Sequence, residues 1–457
     1  VFELDMKQIG GILRAERKKL NKSLEQMADE LKVGVTTLSS IERGIHNVSK
    51  EKWMDYAKAL GMGKVLGIED EVEKKLAVLR RKLKIVEDIT SENPEEARKK
   101  LTTLNKEEKV ESIGVLRPYV HYLKGKCYFA QKDWEMATKY FQFGINSMEK
   151  YPELDRTNIK SACYNSLSVM KHSQGCYQDA LQLIQRALFS FVDSDNAQRL
   201  HLESILLLNE SIYLDQLSLN EKALKSLKKL DEYVQQGNHQ NHVRISVKIK
   251  MHTLHAYILT NMNMLEKALE YAEKGEQLAR VNQDTSSLFS IWAQIGYTYF
   301  KMQKIKFAEE YILKALDLNI NKKISTYQLL IALKYQGLIV IAKNDWDLAE
   351  QVVKNMLALC EEHSNKKEVI EVITCLASFY QKQERYVEAI SLYYEAERLG
   401  KEYKLNSMKY TISIGLLHCF KNVGDYNKFK EYMDSFFHLE VVKGVEFETT
   451  NVPYVCL

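Results

Sequence analysis

Apolar residues fall at intervals of three and four along nearly the whole chain, the spacing that gives a helix one buried face. From Lys7, the run "KQIGGILRAERKKL" places Ile9, Ile12, Leu13 and Leu20 near one face, with Arg14, Arg17, Lys18 and Lys19 around them. Ser23 then caps "LEQMADEL", and Gln26 stands three residues on as its capping-box partner. Leu24, Met27, Ala28 and Leu31 form the stripe of that second helix. "KVG" breaks it. A short third helix, roughly Val35 to Arg43, ends at Gly44, which suits a left-handed cap. A fourth starts at Ser49 and buries Trp53, Tyr56, Ala57 and Leu60.

Two short helices joined by a turn of three or four residues make a helix-turn-helix, whose second helix enters the major groove. Ala28 is small where two helices must cross closely, and Val33, Leu38 and Ile41 plug the core. Ser23, "MADEL", Val33, Leu38 and "IERG" resemble the XRE or lambda-repressor-like helix-turn-helix family. The resemblance implies a salt bridge between Arg17 and Glu42. It also implies that Val35, Thr36, Ser40 and Arg43 face the bases, and that Ser23 at a helix N-terminus binds phosphate. The chain departs from the pattern in two places. Lys22 stands where an apolar residue is usual, and no Gln or Asn occupies the base-reading positions. Readout then leans on hydroxyls, methyl contacts and DNA shape. The plainer alternative is a four-helix cap on a helical array.

Beyond Gly67 one pattern repeats. "WAQIGYTYFKMQKIKFAEEYILKAL" sets Trp292, Ile295, Gly296, Tyr299, Ala308, Ile312 and Ala315 at the tetratricopeptide spacing, in which small residues let paired helices touch. Gly125, Tyr128, Ala137 and Phe141 form a second copy. The small residue of each second helix recurs at Ala97, Ala137, Ala180, Ala223, Ala268, Ala308, Ala349 and Ala389, with Phe429 in the last, degenerate place. Successive markers lie 40 to 45 residues apart, so the units are longer than a standard repeat. The expectation is all-α: a helix-turn-helix domain at residues 1–66, a hinge at 67–76, and about nine helix pairs at 77–440 in one right-handed solenoid. The final 441–457 lose the period and form a tail.

Composition agrees with helix throughout, since only 4 Pro and 19 Gly occur in 457 residues. The net charge of +4 is too small for wholesale coating of nucleic acid, and +3 of it lies in residues 1–66. Seven scattered cysteines without a C-x-x-C pair suggest reduced thiols in the cytoplasm. No secretory signal or membrane span is expected. His252, His255, His239 and His242 suggest a metal cluster only superficially. The first two occupy packing positions, and no cysteine or carboxylate completes a tetrahedral set. No phosphate loop, nucleophile elbow or metalloprotease motif is present. No enzyme, cofactor or metal is implied.

Positions that line the concave side of such repeats are Tyr122, Lys126, Asn165, Asn209, Gln216, Lys250, Tyr257, Asn261, Gln294, Tyr297, Lys334 and Tyr335. Asparagine amides suit a peptide backbone, lysines a carboxylate, and aromatic rings an apolar anchor. Taken singly, each is also what a solvated helix face carries. The two modules together resemble the Rap–Rgg–NprR–PlcR–PrgX superfamily of peptide-pheromone quorum-sensing regulators from Gram-positive bacteria and their phages. The resemblance implies a cytoplasmic homodimer that binds double-stranded operator DNA and is controlled by a short imported peptide in the groove. It leaves open two alternatives: sequestration of a response-regulator or phosphorelay protein, and an arbitrium-type phage receptor.

Overall fold

The computed structural model describes residues 6–45, 48–62, 68–194, 197–235, 242–318, 324–361, 366–402 and 409–443, which contain helices and no strand. The chain divides into two compact units, Val1–Tyr213 and Leu214–Leu457. The first opens with α1 (Met6–Lys19), α2 (Leu24–Leu31), α3 (Val35–Arg43) and α4 (Lys50–Ala59). Ile12, Leu13, Met27, Leu38, Ile41, Tyr56 and Ala57 form their core with no exposure above 1%. The edges of the expected stripes differ. Leu20 is 50% exposed because α1 has ended at Lys19, and Leu24, Leu31 and Val33 are half-buried.

The helix pairs of the first unit are α5 (Ile68–Thr90) with α6 (Pro94–Glu108), α7 (Arg117–Ala130) with α8 (Trp134–Met148), and α9 (Ile159–Ser173) with α10 (Tyr177–Phe189). α11 (His201–Gln216) carries the chain into the second unit, where α12 (Asn220–Gln235) follows. There α13 (Ile245–Asn261) pairs with α14 (Leu265–Val281), α15 (Thr285–Lys301) with α16 (Ile305–Asp317), and α17 (Thr326–Ala342) with α18 (Trp346–Glu361). The last pairs are α19 (Lys366–Lys382) with α20 (Tyr386–Glu402) and α21 (Lys409–Val423) with α22 (Tyr426–Lys443).

The marker alanines stand on α6, α8, α10, α12, α14, α16, α18 and α20, and none is more than 1% exposed. Phe429 on α22 packs against the cluster that contains Tyr393, Leu416 and Phe420. Small residues permit these approaches. A Cβ on Gly125 would lie 2.6 Å from the Phe141 ring, and one on Gly296 would lie 2.8 Å from Ile312. The fold class expected from the sequence is therefore the one observed: a helix-turn-helix followed by tetratricopeptide-like helix pairs.

A second periodic feature lies in the corners. Lys132, Gly175, Ser218, Asn263, Gln303, Asn344, Glu384 and Gly424 all have positive φ, each five residues before a marker. The next amide bonds back across the turn, as Asp133 does to the Tyr128 carbonyl and Asp425 to that of Phe420, both at 3.0 Å. This is the Schellman closure, which satisfies carbonyls at the end of a helix. The α5–α6 corner differs: Asn93 Oδ1 accepts from the Glu96 amide at 3.1 Å, and Pro94 starts α6.

Two boundaries differ from the sequence reading. Residues 68–76, expected as a hinge, form the first turns of α5, whose stripe of Leu76, Leu79, Leu83 and Val86 is buried. α22 continues through Lys443, and residues 444–457 of the expected tail lie outside the described residues, as do Gly67 and His239.

Candidate nucleic-acid interface and ligand face

The placement of α3 depends on one buried carboxylate. Glu42 accepts Arg17 Nε at 2.6 Å and Nη2 at 3.0 Å, and the Tyr56 hydroxyl donates to it at 2.6 Å. Arg17 and Glu42 are each 7% exposed. The remaining Arg17 donor reaches the Lys22 carbonyl at 2.7 Å, which fixes the turn before α2. One ion pair thus ties α1, α3, α4 and the α1–α2 turn together. Arg17 is held more firmly protonated by its hydrogen bond to Glu42, and burial raises the Tyr56 hydroxyl far above its usual range. The side chain of Lys22 pairs with Glu30 at 2.7 Å, which is how a charge is accommodated where an apolar residue is usual.

Sequence reasoning found Arg17 and Glu42 but not Tyr56, nor the role of Gly10. A Cβ on Gly10 would lie 2.2 Å from the Ile41 carbonyl, so α1 can cross the end of α3 only through glycine. The visible signal was a Gly-Gly pair inside a helical pattern.

The residues proposed to read DNA lie on α3 and at the start of α2. Val35, 38% exposed, and Thr36 are open to solvent in the first turn of α3. Ser40 is half-buried and donates to the Thr36 carbonyl at 2.8 Å, which commits its proton and leaves its oxygen only an acceptor. Arg43 is exposed, with Nε on the Ser39 carbonyl at 3.2 Å. Ser23 Oγ accepts from the Gln26 amide at 3.2 Å, and the Gln26 side chain accepts from the Ser23 amide at 2.7 Å. The Glu25 backbone amide and the Ser23 hydroxyl both bond the Glu25 carboxylate and hold it below its ordinary range, so the Ser23 side chain is engaged within its own helix turn.

α1 also packs on the first helix pair and on the 3-10 turns Val110–Ser112 and Gly114–Leu116 that precede α7. Lys19 and Lys82 meet Glu108 at 3.0 and 3.1 Å, and Lys75 pairs with Glu16. The helix that supports α3 is therefore also a contact of the repeats.

The expected ligand residues divide between the units. In the first, Tyr122 is 6% exposed, Lys126 is half-buried, and Asn209 Nδ2 donates to Asn165 Oδ1 at 2.9 Å. In the second, α13, α15 and α17 bring Tyr257, Asn261, Tyr297, Lys334 and Tyr335 onto neighbouring first helices. The rings of Tyr297 and Tyr335 stack at 4.4 Å, and Tyr257 bonds Asn261. Gln294 belongs elsewhere: it is 4% exposed, and its amide donates to Thr260 at 3.1 Å inside the α13–α15 contact. Lys250 and Gln216 are exposed, and Gln216 lies 3.5 Å from Asp215. Burial pushes the Asp215 carboxyl up to about 6, which leaves a desolvated acid where sequence reasoning placed only amides, lysines and tyrosines.

The histidines pack as rings. His255 stacks on Tyr271 at 4.2 Å, and His252 lies 6.0 Å from the same ring. Among the described residues no three His, Cys, Asp or Glu side chains come together to hold a metal, and no helix is long and apolar enough to cross a membrane.

These features define a class, a helix-turn-helix domain joined to an array of tetratricopeptide-like helix pairs. The family model described as Helix-turn-helix matches residues 13–64. A second, described as Cohesin loading factor, matches residues 66–333, more than half of the chain. The apo form of RapI aligns at TM-score 0.55 and 14% identity, over 80% of this chain and 99% of its own. A Rap protein complexed with competence and sporulation factor gives 0.55 and 12%, over 80% and 98%. The apo form of the quorum sensor NprR from B. thuringiensis gives 0.54 and 14%, over 79% and 99%. No curated protein matches the sequence. The chain belongs by its repeat segment to the family described as cohesin loading factor, carries a helix-turn-helix before that segment, and is similar in fold to the RapI and NprR structures. The identities of 12–14% make the likeness to the solved structures one of fold.

Proposed function

We propose that the protein is a homodimeric, peptide-regulated transcription regulator of quorum sensing. The observation that carries this reading is the double role of α1, which packs against α3 and against the first helix pair. A ligand that binds one arrangement of the repeats better than another biases the position of α3, and by linkage DNA biases ligand affinity equally. The ligand is a short imported peptide on the first-helix faces; within the first unit Asn165 and Asn209, and within the second Tyr257, Asn261 and the Tyr297–Tyr335 stack, are the side chains suited to hold one. That the Rap structure contains competence and sporulation factor supports this choice. A dimer presents two copies of α3 to a palindromic operator. No catalytic step is assigned.

The test is fluorescence anisotropy with operator DNA, with and without candidate peptides, for the wild-type chain and for Thr36→Ala/Ser40→Ala. The double variant should lose discrimination between specific and random DNA by about tenfold, roughly 1.4 kcal/mol, while keeping its salt-dependent non-specific binding. Unchanged specificity would reduce α3 to scaffold. A peptide that alters neither DNA affinity nor oligomeric state would remove the sensory part and favour sequestration of a partner protein.

A further inference from the structure

Most contacts in the first unit join neighbouring helices, but one ion pair spans 112 residues. Arg199, just before α11, places Nε and Nη2 3.4 and 3.0 Å from the two oxygens of Glu87 on α5. Its Nη1 donates to the Thr157 carbonyl at 2.8 Å. The guanidinium lies 4.9 Å from the centre of the Tyr119 ring and 5.7 Å from that of Tyr122, both on α7. The Tyr119 hydroxyl donates to Glu87 at 2.5 Å, and Lys84 stands 3.4 Å from the same oxygen. The Arg199 and Glu87 side chains are only 9% and 13% exposed.

A carboxylate flanked by two aromatic rings in a desolvated setting is the composition of a receptor for a planar cation. Its two sides are held differently. Glu87, Tyr119 and Tyr122 stand on regular helices. Arg199 stands on a connection, with φ of +57°, a left-handed backbone that a non-glycine side chain disfavours.

We propose that Glu87, Tyr119 and Tyr122 form a cation-binding site on the first-helix face, occupied in the free protein by the chain's own Arg199, and that a guanidinium or ammonium group of a ligand takes its place. This rests on the reading of that face as ligand-binding. Exchange of one cation for another keeps the buried carboxylate paired throughout. An anionic ligand drawing Arg199 away would strand Glu87, and breaking a buried pair is strongly unfavourable. A ligand with an arginine satisfies the site better than one with a lysine, because only the guanidinium reproduces the two-oxygen contact. Arg199 is then an internal competitor that raises the ligand concentration needed for occupancy.

The probe is N-acetyl-arginine amide, with N-acetyl-citrulline amide as its uncharged counterpart, added to the full chain and followed by calorimetry and ligand-observed NMR. Arg199→Met should bind the arginine probe at least tenfold more tightly than wild type. Adding Glu87→Gln should abolish that gain, and the citrulline probe should bind none of the three. Equal affinity of wild type and Arg199→Met, or equal binding of both probes, overturns the proposal. A second measurement needs no variant: saturating arginine probe should speed amide exchange at residues 197–202 of the wild-type chain. Unchanged exchange there rules out displacement. Neither arm contains DNA or a signalling peptide, so failure here leaves the operator assay intact, and failure of that assay leaves this site standing.

Discussion

Replacing Glu42 by glutamine tests whether the recognition helix is positioned by one ion pair. The change preserves shape and removes the charge that accepts two Arg17 donors and the Tyr56 hydroxyl. Arg17, 7% exposed, keeps only the Lys22 carbonyl as a full acceptor. Breaking one side of a buried pair costs about 3–5 kcal/mol. A domain of this size is stable by only a few kcal/mol, at roughly 0.1 kcal/mol per residue, so the loss approaches its whole stability. Tyr56→Phe removes a single hydrogen bond and should cost about 1 kcal/mol. Arg17→Met/Glu42→Leu removes both charges and should recover most of the loss, since apolar replacement of a buried pair is often neutral. The assay is amide exchange of α1–α4 and α13–α20 in the same sample, with operator affinity measured in parallel. Glu42→Gln should open α1–α4 and abolish operator binding while leaving the second unit protected. A Glu42→Gln protein within 1 kcal/mol of wild type, or a double variant as unstable as Glu42→Gln, would refute the reasoning.

Two further outcomes concern the repeats. Burial lowers the His252 pKa to about 4, and its Nδ1 has no hydrogen-bond partner. The unfolded chain therefore takes up a proton that the folded unit refuses. Stability is complete above about pH 6.5, falls as pH is lowered towards 4, and levels off below that. At pH 5 this group should cost about 2 kcal/mol; urea titrations should show that loss in wild type and not in His252→Gln, and equal pH slopes would count against it. In the corners, Gln303 holds φ of +61° without being glycine. Gln303→Gly should stabilise the second unit by about 0.5–1 kcal/mol, and Gly424→Ala, which meets nothing within 4 Å, should destabilise it by a similar amount through backbone strain alone. Chemical denaturation reads both, and a destabilised Gln303→Gly would show that the glutamine side chain contributes more than its backbone costs.

The fold was more legible than the site. Helical period, the capping box at Ser23, and alanines every 40 to 45 residues are local or repeated signals, and each occurrence reinforces the others. The corners also carried a signal that the eye passes over: residues five before eight of the nine markers share one backbone state although they include Lys, Ser, Gln and Glu. Composition could not show this, because the requirement falls on the backbone. Among the expected ligand residues, repeat position alone does not reveal whether a polar side chain is spent on its neighbours. Gln294 is spent on Thr260, and Asn209 partly on Asn165.

The sequence by itself determined what depends on neighbours within a turn or two, or on a repeating period. These are the helices, their caps, the helix-turn-helix and the paired-helix array. Tertiary structure decided what depends on residues far apart that follow no period: Tyr56 joining Arg17 and Glu42, Gly10 admitting the end of α3, α1 lying on the first pair, and Arg199 closing on Glu87. The physical reason is range. Helix propensity and capping act over about four residues. A buried charge is satisfied by whichever partner the folded chain delivers, and a single sequence carries no period from which to predict a partner 112 residues away.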